Sequence, residues 1–223
     1  MCLPLPPGPG WRVPPPMAAG SLPPLPQPGH PVDPRAGPVS ARRARPPRPY
    51  AIRKPAAYAV TRPGDLVQVD TLDVRPLPGV ILKHLAARDM VSRWDVVEVA
   101  SRATSRTAAR FLETLQARMP FPVHAVQVDG GSEFAGAFEQ ECQRRRIRLF
   151  VLPPRSPKLN GRVERSNRTH TEEFYEVTEL ERTVPAANSR LRQWERIYNT
   201  ARPSQALGSR TPREFLRDLV HAG

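Results

Sequence analysis

Proline fixes φ and removes a backbone donor, and 17 of the 29 prolines in this chain fall within its first 50 residues. Helices and sheet ladders do not survive that density, so residues 1–56 are read as a disordered Pro/Arg-rich tail. Any core must come from residues 57–223. The net charge is +13 over 223 residues, and the tail, with eight Arg or Lys against Asp33 alone, carries +7 of it. The remainder is still +6, so both parts are basic, which favours a polyanionic partner such as nucleic acid. Cys2 and Cys142 are too few for a disulfide framework or a thiolate metal site, so a reducing compartment fits. No run is long enough to span a membrane, and Pro4, Pro6, Pro7 and Pro9 interrupt any signal-peptide core. The expected location is therefore intracellular, with no membrane partner.

After Pro63-Gly64 the texture changes to apolar runs and helical periodicity. Asp65 to Val74, Val80 to Met90 and Trp94 to Ala100 read as three successive strands, which suggests a meander. Thr104 is a natural cap for a helix over Ser105 to Met119, where Ala108, Phe111, Leu112, Leu115 and Met119 recur at helical spacing. A fourth strand over Val123 to Val128, a helix over Ala135 to Arg146 and a fifth strand over Ile147 to Leu152 follow. Strands separated by helices need crossovers and tend to run parallel, so the order βββαβαβ predicts an α/β fold with a mixed five-stranded sheet and flanking helices. Asn160 can cap a further helix whose inner face is Val163, Ser166, His170, Phe174 and Val177, with Glu164, Arg168, Thr171 and Tyr175 beside it. A last helix over Val184 to Thr200 carries Ala187, Leu191, Trp194 and Tyr198 at helical intervals, and Trp94 and Trp194 are expected core anchors.

Three acids stand out against this scaffold. Asp70 lies inside the apolar run Leu66 to Leu72, Asp129 ends the run Val126 to Val128 just before two glycines, and Glu164 opens the basic helix. A carboxylate within an apolar strand is costly unless compensated. Two bare carboxylates ~4 Å apart repel by ~4 kcal/mol at an effective dielectric near 20, so convergence of three would demand cations. Carboxylates without His or Cys partners suit Mg²⁺ or Mn²⁺, and a pair of such ions is suited to phosphodiester chemistry.

The order Gln68-Val69-Asp70, then Val128-Asp129-Gly130-Gly131-Ser132-Glu133-Phe134, then Asn160-Gly161-Arg162-Val163-Glu164-Arg165 resembles the integrase core family of retroviral integrases and DDE transposases of bacterial insertion sequences. Tyr198-Asn199, Arg202-Pro203, Gln205-Ala206-Leu207 and Thr211-Pro212 through Phe215 resemble the C-terminal signature of its insertion-sequence members. The resemblance runs from about Arg62 to Phe215 and implies a ribonuclease-H-like fold. It also implies two Mg²⁺ (or Mn²⁺) ions held by Asp70, Asp129 and Glu164, with Asp70 bridging them, in a polynucleotidyl transferase that cuts and joins DNA. The implied partners are element-end and target DNA and further copies of the chain, in bacterial cytoplasm at the nucleoid. Three departures stand: 34 residues separate Asp129 from Glu164 where the family motif has about 35, Gly130 replaces a frequent Asn, and Ser204 a frequent His. The tail occupies the place of the usual helix-turn-helix domains, so a truncated, catalytically silent DNA-binding remnant and a nuclease that hydrolyses without joining remain alternatives.

Lys158, Arg162, Arg165, Asn167 and Arg168 cluster around Glu164 and are the expected DNA contacts, Arg168 and Asn167 through the resemblance. Glu133 is expected to hold a turn, and Asp73, three residues after Asp70 on a strand, to face the other way. His84, His124 and His170 show no zinc-site spacing, and His170 is expected to be a packing residue.

Overall fold

The computed structural model describes residues 50–153, 161–179 and 183–221. Strands β1 (Val67–Leu77), β2 (Val80–Asp89) and β3 (Asp95–Ala100) form the expected antiparallel meander. Strands β4 (Ala125–Val128) and β5 (Arg148–Val151) add in parallel on the other side of β1, giving the order β3-β2-β1-β4-β5. Helices α1 (Ser105–Arg118) and α2 (Ala137–Arg144) make the crossovers that parallel pairing requires. Thr104 caps α1 as expected, its hydroxyl accepting the Thr107 N–H at 3.1 Å, an interaction that stabilises a helix by about 1 kcal/mol.

Side-chain alternation divides the core. Val67 and Val69 of β1 join Leu85, Ala87 and Val96 against Phe111, Leu112 and Leu115 of α1 and Phe138 and Cys142 of α2. Val74, with Leu82, Ala86, Val97 and Val99, packs on the opposite face against Phe174, Ala187 and Leu191. That second layer comes from α3 (Gly161–His170), its continuation through a π turn at Thr171–Tyr175, and α4 (Val184–Thr200). Asp70 shares strand parity with Leu72 and Val74, so alternation turns it toward α3.

Several expectations shift in detail. β1 begins at Val67 because Asp65 accepts the N–H groups of Thr61 and Arg62 at 2.9 and 2.7 Å, tying it into the preceding turn. α2 begins two residues later than expected, after a short 3₁₀ turn at Ser132–Phe134. Val177 is not on the inner face but 73% exposed. The π turn inserts an extra residue per turn and delays the inner face by one position. A further helix, α5 (Pro212–His221), was not anticipated as a helix. Its signal is a Thr-x-x-Glu capping box: Thr211 N–H donates to Glu214 Oε2 at 2.8 Å, and Glu214 N–H to Thr211 Oγ1 at 3.1 Å.

The first described residues run against the sheet edge. Ile52 bridges to Phe150 of β5, and the N–H groups of Tyr50 and Ala51 donate to Glu139 at 3.2 and 3.1 Å. The backbone at Ile52 thus pairs along the β5 edge, its N–H donating to Leu149 O and its carbonyl accepting from Val151. No helix among the described residues is long and apolar enough to cross a membrane.

Candidate active site

The parallel pairing of β1 with β4 aligns Val67 with Val126 and Gln68 with Gln127. Continued two places, that register sets Asp129 level with Asp70 on the neighbouring strand and on the same face. β4 stops at Val128 while β1 runs on, so Asp129 sits exposed on the turn and Asp70 is half-buried. Gly130 follows with φ at +90°, a conformation open to glycine and, among other residues, most readily to Asn or Asp. Backbone geometry thus accounts for the Gly-for-Asn departure noted in the sequence.

α3 brings Glu164 to the same cleft. Asp70, Glu164, Asn167, Arg168, Glu172 and Glu176 line a space of about 370 Å³ beside β1. Asn167 is buried, and its Nδ2 donates to Asp70 Oδ2 at 2.8 Å. Burial pushes the Asp70 carboxyl up to about 6, opposed by the Thr71 N–H and raised further by the charges of Asp129 and Glu164. Asp129 and Glu164 are therefore each close enough to act on Asp70. They are not, however, gathered: among the described residues no group of three His, Cys, Asp or Glu side chains is close enough to hold a metal ion. Asp129 is folded onto its own turn, Oδ1 accepting the Gly131 N–H at 2.9 Å.

Of the expected DNA contacts, Asn167 and Arg168 line this cleft, and Arg165 points to the opposite flank of α3. Arg162 lies in the first turn of α3, and Lys158, like the expected cap Asn160, lies outside the described residues. Glu172 and Glu176 were not anticipated in the cleft. They follow Arg168 at helical spacing, a signal legible only once Arg168 and Glu164 are assigned to one face. Glu133 sits in the 3₁₀ turn, and Asp73 pairs with Lys83 at 2.5 Å, so neither joins the cleft.

Behind the cleft, α3 and α4 are fastened to the sheet by a buried polar network. Arg88 on β2 makes a two-pronged bond to Asp95 on β3, both prongs at 2.7 Å, and also donates to the Tyr198 hydroxyl. Asp95 Oδ2 accepts from Ser166 at 2.8 Å and from His170 Nε2 at 3.1 Å. His170 Nδ1 meets His84 Nε2 at 3.2 Å, and His84 Nδ1 meets the Tyr175 hydroxyl at 2.8 Å. A carboxylate can only accept, so His170 carries its proton on Nε2; with both rings neutral, His84 then donates from Nε2 and Tyr175 donates to His84 Nδ1. Every ring nitrogen is satisfied. His170 is thus buried as expected, but it is bonded to His84, a proximity that sequence spacing did not reveal. Burial, with His170 beside it, holds His84 well below its ordinary value. For Asp95, burial alone would raise the carboxyl, but the Arg88 guanidinium reverses this and holds it well below the usual range.

The strand order with its helices on both faces defines a ribonuclease-H-like α/β domain. The catalytic core domain of BIV integrase has the same fold, with a TM-score of 0.56 and 22% identity over 70% of this chain and 96% of that one. Residues 145–212 match the family described as integrase core domain. The sequence match over this stretch and the shared fold agree in making the chain similar to integrase core domains. The matched residues include Glu164 and α3 but neither Asp70 nor Asp129, whose positions rest on the fold. No curated protein matches this chain.

Proposed function

We propose that this domain is a DNA transposase or integrase catalytic core that hydrolyses and transfers phosphodiesters, with Asp70, Asp129 and Glu164 as its catalytic acids. The observation that carries the reading is the half-buried Asp70, raised to about 6 while Asp129 and Glu164 bear on it. A donor set of carboxylate oxygens without thiolate or imidazole fits hard divalent cations. Asp70, Asp129 and Glu164 would hold two Mg²⁺ or Mn²⁺ ions, and the bound ions would supply Lewis acidity to the attacking and leaving oxygens. Asn167 fixes the rotamer of Asp70 through its amide, and Arg168 offers a guanidinium to a phosphate entering an otherwise acidic cleft. To hold an ion with the other two, the Asp129 side chain would have to give up the Gly131 N–H that it now accepts. The domain is further read as acting on element-end and target DNA as a multimer.

A second reading is a DNA-binding domain without turnover, favoured by the turned-back Asp129. Labelled duplex DNA incubated with the full chain and Mg²⁺ or Mn²⁺ separates the two. Nicked or joined strands that vanish on chelation are expected; salt-sensitive binding without metal-dependent products would support the silent domain. Nicking without joining would narrow the activity to hydrolysis.

A further inference from the structure

α3 divides two surfaces of opposite character. On one flank is the cleft with Asp70, Glu164, Glu172 and Glu176. On the other, Arg165 and Thr169, one turn apart, line a second cavity of about 650 Å³ with Arg88, Arg93, Tyr198 and Arg202. Four arginines and no carboxylate line this cavity. Arg88 is offset by Asp95, and Arg202 by Glu173 at 2.7 and 2.5 Å, but neither acid is among the lining residues. The guanidinium groups of Arg88 and Arg202 both lie over the Tyr198 ring, 5.4 and 5.2 Å from its centroid. Tyr198 so holds two guanidinium groups, each already paired with its own carboxylate, at one wall of the cavity.

We propose that this cavity is a second DNA-backbone site, which grips a phosphodiester a few phosphates away from the one in the acidic cleft. The proposal rests on the DNA reading above. Guanidinium forks match phosphate oxygens in pairs, and the exposed fork of Arg165, at a concave surface lined by arginines and no carboxylate, suits a phosphate with its sugar better than a flat basic face does. A free anion would fit the same chemistry, but the location favours DNA. Only the width of one helix, ~10 Å with side chains, separates the cavity from Glu164, so a strand lying over the start of α3 reaches both. A backbone gripped at two points either side of α3 cannot pivot about the reacting phosphate. That constraint is what positioning for in-line attack requires.

Arg165 is exposed, so Arg165→Glu tests the cavity without disturbing the core; Thr169→Glu, one turn along the same flank, is the independent check. Binding of the full chain to a labelled duplex is measured between about 50 and 200 mM salt. Each variant is expected to keep the wild-type melting temperature, bind more weakly, and flatten the slope of log affinity against log salt by about one for each phosphate no longer gripped. An unchanged slope in both variants would overturn the proposal, whether or not the wild type cuts DNA. A flattened slope in a chain that never cuts DNA would leave the cavity standing and remove the catalytic reading instead. Inorganic phosphate titrated by calorimetry is the remaining arm. If it binds the wild type but neither variant, while the DNA slopes stay equal, the cavity takes a free anion and the backbone proposal fails.

Discussion

Glu164→Gln is expected to lower metal-dependent DNA cutting by roughly 10²- to 10³-fold, equivalent to removing about 3–4 kcal/mol of transition-state stabilisation. Glutamine keeps the shape and solvation of the side chain but loses the negative charge that makes it a ligand for a hard cation. Because Glu164 is exposed in the first turn of α3, the substitution should change folding stability by no more than about 0.5 kcal/mol. It also removes an acid from the cleft a phosphate must enter, so DNA affinity should stay equal or rise slightly. Loss of cutting with retained, salt-sensitive binding is the expected pairing. Retained cutting would exclude Glu164 as a catalytic acid, and parallel loss of binding would point to a merely structural role.

The largest stability effect is expected at Asp95, which is 1% exposed. Asp95→Ala leaves the Arg88 guanidinium buried without its partner and strips acceptors from Ser166 and His170. Breaking one side of such a buried pair costs about 3–5 kcal/mol. Replacing both partners by apolar residues, as in Arg88→Met with Asp95→Leu, should cost markedly less, because no uncompensated charge remains. Equal losses in the single and double variants, measured by urea unfolding, would mean that the pair is not coupled. The same network sets an acid limit. His84 is held below its ordinary value in the folded chain, so the unfolded chain takes up its proton first as pH falls through about 6.5. The His84 contribution should therefore be full above about pH 6.5 and decline below it, opposed by the protonation of Asp70 as pH falls through about 6, with the Asp95 contribution lost only at still lower pH, below about 4.

Much of the fold was legible because local pattern and topology agree. The three-strand meander follows from its short connections, and the parallel strands from the intervening helices. The buried face of α1 is the set Ala108, Phe111, Leu112 and Leu115 that its spacing predicts. Asp70 and Asp129 could be singled out because a carboxylate in or at the end of an apolar strand has few bland reasons to be there. What could not be read were relations between elements far apart in sequence. The His84–His170 pairing joins β2 to α3 across 86 residues, and no spacing rule encodes it. Arg165 and Arg168 look alike in the sequence, yet a three-residue offset leaves one lining the arginine cavity and the other the acidic cleft. Val177 left the inner face for a reason no α-helical period contains, the π turn before it. The α5 capping box was present in the letters but carried a helix start only when read as Thr211 and Glu214 together.

The central claim is that Asp70, Asp129 and Glu164 form a divalent-cation site, and thermal unfolding of the wild type and Asp70→Asn with and without Mg²⁺ or Mn²⁺ tests it most directly. Without metal at pH 7.5, Asp70→Asn should be the more stable protein by about 2 kcal/mol, because burial disfavours the ionised carboxylate that the amide replaces. Metal at about a hundred times its dissociation constant should stabilise the wild type by about 2.7 kcal/mol and leave Asp70→Asn largely unmoved. Equal metal responses in the two proteins, or none in the wild type, would contradict the account.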